Sequence, residues 1–232
     1  MLAELKRRVL EANLELQRAK LVICTWGNVS GIDRAKGLIV IKPSGVPYDE
    51  LTAEKMVVVD TNGRVVEGGL KPSSDTPTHL ELYKHFPEIG GVAHTHSPWA
   101  TAWAQTRKAI PCFGTTHADY CYGEIPCTRQ LKAAEIRTDY EANTGRVIVE
   151  SLQGRDCMDF PGILVASHAP FTWGKDPEEA VENSLVLEEI AKISFLTKMI
   201  DPKTPAIGKE LLDRHFLRKH GTGAYYGQGK KE

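Results

Sequence analysis

Short β-type runs alternate with helical segments along almost the whole chain, and this alternation limits the possible fold more than any other feature. Apolar runs that fit strands lie in GLIVIKPSG (strand at Leu38–Ile41), MVVVD, GVAHTH, RVIVE and GILVASH. The Asn62-Gly63 pair between MVVVD and RVVEG predicts a hairpin turn. Strands interleaved with helices are typical of a layered α/β sheet, although local pattern does not determine the strand order.

Four segments have helical patterns. The N-terminal segment repeats apolar residues at helical spacing, at Leu5, Val9, Ala12 and Leu16. A second helix is predicted to begin near Thr76-Pro77, because proline suits the first helical position. A long third helix is predicted from Asp176-Pro177, with a buried face at Val186, Ile190 and Ile193. The last helix is expected to end near His220.

Composition narrows the class of protein. The 232 residues, 41% hydrophobic and 25% charged, fit one domain over 1–228 with a polar tail at 229–232. The net charge of −1 does not favour a nucleic-acid or membrane-surface partner, and no apolar run approaches the length of a membrane span, about 18 residues. Five scattered cysteines without a CxxC pair favour reduced thiols in a cytoplasmic protein.

The sharpest chemical signal is the His94-Thr95-His96 tripeptide at the end of GGVAHTHS. Residues two apart on a strand project from the same face, so two imidazoles placed this way can chelate one ion. A third histidine, His168 in GILVASHAP, follows another strand and would complete a catalytic zinc site with one open position. The alternative is that all three are ordinary polar residues at strand ends.

Turns with small residues form a second group of candidates. They contain Gly27-Asn28, Ser44-Gly45 and Ser73-Ser74, and Lys42 lies near the second pair. Ser73-Ser74 precedes a predicted helix N-terminus, where free N–H groups and the helix dipole favour an anion. Each pair taken singly also fits a plain turn, and none matches a Walker-type loop.

The stretch GTTHADYCYGEIPCTR carries a histidine, an aspartate and two tyrosines between glycines. Its pattern is too irregular for a strand or a helix. Loops with so many ionisable groups often carry catalysis, and the alternative is a solvated loop.

Several motifs together resemble the class II aldolase/epimerase family. They are GNVS, IKPSGV, KPSSDTPTH, HTHS, GTTHADY, IPCTR, WGK and the ending H-x-x-RKHG-x-x-AYYGQ, in this order up to Gln228. The resemblance implies an α/β sandwich with a central, mainly antiparallel sheet flanked by helices. It also implies a zinc-dependent epimerase that interconverts L-ribulose 5-phosphate and D-xylulose 5-phosphate by retro-aldol cleavage and aldol inversion at C4. The family also contains aldolases for fuculose or rhamnulose phosphate, which remain the alternative.

The resemblance also implies roles for individual residues. The metal ligands are His94, His96, His168 and, at or near the coordination shell, Asp75. The substrate contacts are Gly27, Asn28, Lys42, Ser44, Gly45, Ser73 and Ser74, with Glu141 and His215 as supporting residues. The acid/base pair is Asp119 and Tyr226, with Tyr226 expected to act in a neighbouring subunit of a homotetramer. Ala169 departs from the family pattern, in which glycine follows the third histidine.

Overall fold

The computed structural model describes residues 2–227, and a seven-stranded sheet forms its centre. The strands in chain order are β1 (Asn28–Asp33), β2 (Leu38–Ile41), β3 (Val57–Asp60), β4 (Val65–Glu67), β5 (Gly91–His94), β6 (Gly162–Leu164) and β7 (Pro170–Gly174). Their order across the sheet is β4-β3-β2-β1-β5-β7-β6, and every neighbouring pair is antiparallel. The predicted layered fold is confirmed, and the tail predicted at 229–232 lies outside the described residues.

Helices cover both faces of this sheet. They are α1 (Ala3–Arg18), α2 (Thr76–His85), α3 (Pro98–Thr106), α4 (Thr115–Ala118), α5 (Ala133–Arg137), α6 (Tyr140–Ser151), α7 (Pro177–Ile200) and α8 (Lys209–His220). Side chains alternate along β2, so Ile39 joins the core that contains Leu82 of α2, while Val40 joins the core that contains Val9 of α1. Within residues 2–227, no helix is both long and apolar enough to cross a membrane.

The hairpin predicted at Asn62-Gly63 is confirmed. The backbone N–H of Asp60 donates to Arg64 O at 2.9 Å, and Gly63 adopts a positive φ of 82°. A β-branched residue would be strained in that conformation, which explains the glycine.

The strand predicted at RVIVE is wrong, because residues 146–150 lie inside helix α6. Val147 and Ile148 are buried where α6 packs against α2. At Gly145 a Cβ would lie 2.6 Å from Glu81 Cβ, so glycine allows the two helices to approach closely. Packing of this kind overrides the strand propensity of a short β-branched run.

The start of α7 is confirmed, since the Asp176 carboxylate accepts from Glu179 N at 2.8 Å. Its predicted buried face is only partly right: Ile190 is buried, but Ile193 is 42% exposed. The buried stripe instead includes the small residues Ser184 and Ser194. A hydrophobic pattern does not reveal a face built from small side chains.

The segment after α8 folds back against that helix. Helix α8 ends at His220, as predicted, and the N–H groups of Tyr225 and Tyr226 both donate to Arg218 O. These two bonds hold the segment at 225–226 against α8 of its own chain. The stretch beginning GTTHADY, predicted to be irregular, starts with the single helical turn α4.

Candidate metal centre and substrate cavity

Three histidines meet beside the C-terminal end of strand β5. Strand β5 pairs with β1 on one side and β7 on the other, and it ends at His94. His96 follows two residues later, while His168 lies in the turn between β6 and β7. Their candidate ligand atoms lie within 4.8 Å of one another, and the Nε2 atoms of His94 and His96 are 3.1 Å apart.

The backbone orients the first imidazole. Nδ1 of His94 lies 2.9 Å from Pro170 O, and the ring stacks on Phe171 with a centroid distance of 4.1 Å. A carbonyl can only accept, so Nδ1 carries the proton and the Nε2 lone pair faces the other two histidines. This is the tautomer that a metal ligand needs.

The protonation states also suit metal binding. Burial lowers the pKa of His96 to about 4 and that of His168 to about 4, with a further contribution from the neighbouring histidines. Both imidazoles are therefore neutral at pH 7, the form that binds metal. Among the described residues, the buried Nδ1 of His168 has no hydrogen-bond partner. The three side chains thus fit the donor set of a divalent ion.

Ala169 does not disturb the third histidine. The positive φ in this turn, 62°, belongs to Ser167, and Ala169 is not among the positive-φ residues. The position therefore does not require glycine.

Asp75 lies beside the histidines without joining their cluster. Its Oδ2 accepts from Asn28 Nδ2 at 2.7 Å, and the same amide also donates to Ser73 Oγ at 3.1 Å. Burial opposes ionisation of Asp75, but the facing His94 and the Asn28 hydrogen bond are among the effects that outweigh it and lower its pKa. Among residues 2–227, the cluster of candidate ligand atoms contains the three histidines and not Asp75. Direct ligation by Asp75 stays a prediction.

The histidines open into a cavity of about 410 Å³. The sequence-predicted residues that line it are Gly27, Asn28, Lys42, Ser44, Gly45, Ser73, Ser74, Asp75, His94, His96, Glu141 and His168. Residues far apart in the chain thus share one site. At Gly27, φ is 75° and a Cβ would lie 2.8 Å from His94 O, so only glycine fits this close approach.

One end of the cavity is suited to an anion. The Lys42 side chain is buried, and its Nζ donates to Thr25 O at 3.2 Å and lies 4.9 Å from the centre of the Tyr48 ring. Burial lowers the pKa of this ammonium to about 8, although nearby Asp75 partly opposes the shift. A buried cation that faces a cavity favours binding of an anion there. Ser73 and Ser74, just before α2, add a helix N-terminus to the same wall.

Helix α6 contributes two cavity residues. Glu141 was expected from the resemblance, whereas Tyr140 was not predicted, because the strand wrongly predicted at 146–150 hid the helix that begins at Tyr140. Thr78 Oγ1 donates to Glu141 O at 2.6 Å and ties the start of α6 to α2. The Tyr140 ring lies 6.2 Å from the His168 ring. No local motif marks Tyr140.

The other residues expected from the resemblance lie at the end of α4, on α8 and in the segment after α8, where they form a second cluster. Asp119 accepts from Arg218 Nη2 at 2.6 Å and lies 3.1 Å from His215 Nδ1, and the Arg218 guanidinium sits 4.8 Å from the centre of the Tyr226 ring. Burial raises the pKa of Asp119, but Arg218 and His215 outweigh this and hold it low. In the described part of the chain, Asp119, His215 and Tyr226 are not among the residues that line the 410 Å³ cavity.

The fold and the histidine site place this chain in the class II aldolase family. Residues 7–195 match the family model described as Class II Aldolase and Adducin N-terminal domain, and the chain belongs to that family. Members are lyases or epimerases that typically use a divalent metal.

Solved structures agree with this assignment. An L-fuculose 1-phosphate aldolase is 26% identical with a TM-score of 0.78, covering 91% of this chain and 94% of that one. L-fuculose 1-phosphate aldolase from Glaciozyma antarctica is 19% identical with a TM-score of 0.77, covering 93% and 81%. L-fuculose-1-phosphate aldolase from Thermus thermophilus is 23% identical with a TM-score of 0.67, covering 87% and 99%. The last two similarities concern the fold alone.

Proposed function

We propose that this protein is a zinc-dependent L-ribulose-5-phosphate 4-epimerase, which interconverts L-ribulose 5-phosphate and D-xylulose 5-phosphate. One observation carries the proposal: a single cavity joins three clustered histidines to an anion-favouring wall with Lys42 and the Ser73-Ser74 turn. A phosphorylated ketose matches this cavity, because its carbonyl would face the histidines and its phosphate would face the anion-favouring wall. The setting we propose is cytoplasmic, in pentose breakdown such as that of arabinose.

Separate groups of residues in this chain would bind the metal ion and the phosphate. His94, His96 and His168 would hold the ion, with Asp75 beside them and Asn28 fixing the Asp75 carboxylate. A divalent ion at this place supplies a Lewis acid, which stabilises negative charge that develops next to a carbonyl. Lys42 and the turns at Ser44-Gly45 and Ser73-Ser74 bind the phosphate, and Glu141 supports the substrate from α6.

Inversion at C4 needs proton transfer on two sides. The C4 hydroxyl loses a proton as the C3–C4 bond breaks, and the resulting aldehyde turns its other face before the bond re-forms. Its oxygen then takes a proton back. Two separate groups suit this geometry, and we assign these roles to Asp119 and Tyr226, supported by His215.

These acid/base groups would come from a neighbouring copy in a homotetramer. Arg218 links Asp119 to Tyr226, and His215 contacts the same carboxylate, so the cluster forms one unit within its chain. The Tyr226 side chain is 59% exposed and can meet a second protein surface. Because the cluster does not line its own chain's cavity, we propose that it completes the cavity of the adjacent subunit.

A family aldolase that releases two fragments is the second candidate. The 26% identity to an L-fuculose 1-phosphate aldolase favours it. Both enzymes would use the same metal site, so the products distinguish them.

The decisive experiment follows L-ribulose 5-phosphate with zinc-loaded protein. D-xylulose 5-phosphate is measured with a coupled enzyme, and free aldehyde is measured in the same samples with and without chelator. We expect reversible, chelator-sensitive formation of D-xylulose 5-phosphate without free aldehyde. Accumulation of both cleavage fragments would establish an aldolase instead, and an inert zinc-loaded protein would exclude the epimerase.

Loss of a phosphate contact should selectively weaken the binding of the phosphorylated substrate. We expect Ser44→Ala or Ser74→Ala to cost about 1.5–3 kcal/mol each in kcat/KM, the usual size of a hydrogen bond to a charged group. Turnover of unphosphorylated L-ribulose, itself very poor, should be unaffected. Ser151→Ala is the control, since Ser151 Oγ bonds Val147 O within α6. Equal losses for both sugars would place the phosphate elsewhere.

Phosphate affinity should depend on the charge of Lys42. Because burial lowers the Lys42 pKa to about 8, its positive charge is present below that pH and is lost above it. We expect the affinity for inorganic phosphate, already a dianion there, to fall above pH 8 by up to about tenfold per pH unit. Titration calorimetry at several pH values measures this.

Lys42→Arg provides the matched control for this pH dependence. A guanidinium stays protonated throughout the range, so the affinity of this variant should not fall between pH 8 and about pH 9.5. The same decline in the variant and the wild type would show that another group titrates.

A further inference from the structure

Helix α3 begins directly after His94 and His96, and its first backbone N–H groups donate to a side chain on another helix. Ser97 precedes the helix, but its side chain makes no capping bond and instead accepts from Thr95 Oγ1 at 3.2 Å. The first free backbone donors belong to Trp99 and Ala100, since Pro98 has none. Both donors bind Glu188, at 2.9 Å to Oε1 and 2.9 Å to Oε2.

Glu188 presents its carboxylate from a helix that is fixed to the sheet. It lies on α7, where Asn183 Nδ2 donates to Trp173 O of β7 at 2.8 Å. Helix α3 is also attached to α7 one turn further on, because Trp103 Nε1 donates to Ala191 O at 2.9 Å. The two contacts set the position of α3 on the sheet.

The far end of α3 contacts the residue before the third histidine. Ala104 O accepts from Ser167 N at 2.8 Å, and Ser167 immediately precedes His168. Helix α3 therefore connects the segment that carries His96 to the turn that carries His168.

We infer that Glu188 is a positioning residue for the metal site, acting through α3 to set the spacing between His96 and His168. The inference rests on the metal-dependent function proposed above. Without this carboxylate the start of α3 loses two hydrogen bonds and the favourable charge at its dipole. The Thr95–Ser97 segment can then move, and the three histidines no longer share one geometry.

Zinc affinity tests the inference independently of turnover. Dissociation constants come from competition with a chromophoric chelator, and the visible spectrum of the Co²⁺-loaded protein reports coordination geometry. We expect Glu188→Ala to bind zinc about 10–100-fold more weakly, the usual effect of groups that orient metal ligands, with an altered Co²⁺ spectrum. Glu188→Gln keeps one acceptor and should fall between the variant and the wild type.

The control removes a matched contact elsewhere. Asp176 also binds a helix N-terminal N–H, that of Glu179, and it lies against Gly91 at the opposite end of β5 from His94. Asp176→Ala should lower the unfolding temperature and leave zinc affinity unchanged.

A zinc affinity of Glu188→Ala within twofold of wild type would overturn the inference, as would an equal loss in Asp176→Ala. If Glu188→Ala does not fold, unchanged affinity in Glu188→Gln overturns it. A wild-type protein that binds zinc but does not epimerise refutes the proposed function and leaves this inference standing. A wild-type protein that binds no zinc refutes both.

Discussion

Replacing His96 by asparagine is expected to remove the bound zinc and to lower turnover by about 10³-fold, as loss of several kcal/mol of charge stabilisation predicts. His96 contributes one of the three ring nitrogens in the cluster, so only two remain to hold the ion. Metal analysis of the purified protein and the coupled assay measure the two effects together. Zinc added to chelated wild type should restore activity, whereas zinc added to His96→Asn should not.

His85→Asn is the matched control for this result. His85 ends α2, is exposed, and its Nδ1 lies 2.8 Å from Glu81 O, outside the cavity. The control should retain both zinc and activity. Full turnover by a demonstrably metal-free His96→Asn protein would contradict the proposed metal dependence.

Replacing Asp119 by asparagine is expected to lower the rate by about 10²–10⁴-fold, the usual contribution of a general acid or base. Zinc content should not change, because Asp119 lies outside the histidine cluster. The substitution also removes the charge that pairs with Arg218. Asp213→Asn on α8 controls for loss of an ion pair to this helix, since it breaks the more exposed pair with Lys209 and should retain activity. Loss of zinc from Asp119→Asn with activity per zinc preserved would move Asp119 to the metal shell.

Mixing inactive subunits tests whether the cluster acts across an interface. Chains with Asp119→Asn or Tyr226→Phe should each regain partial activity when mixed with His96→Asn chains. Some sites then receive His96 from one chain and both acid/base groups from the other. Asp119→Asn mixed with Tyr226→Phe should regain nothing, because no single chain supplies both groups. Restoration in that third mixture, or none in the first two once hetero-oligomers are shown, would contradict the proposed arrangement.

Local pattern identified the candidate ligands His94 and His96, because the features that mark them are short-range. Alternation along a strand places His94 and His96 on one face, and the turns at Ser44-Gly45 and Ser73-Ser74 are recognisable from composition. The antiparallel sheet and the roles of single residues came instead from resemblance to a family. Strand periodicity contains no information about which strands become neighbours.

Contacts between segments far apart in the chain decided the features that local pattern did not predict. Residues 146–150 form a helix because α6 packs on α2 at Gly145, and this placed Tyr140 in the cavity. The pairing of Asp119 with Arg218 joins positions 99 residues apart, and the anchoring of α3 by Glu188 joins positions 88 or more apart. The sequence by itself determined which side chains can bind a metal or an anion. Only the tertiary structure decided which of them share a cavity, because that depends on contacts between distant segments.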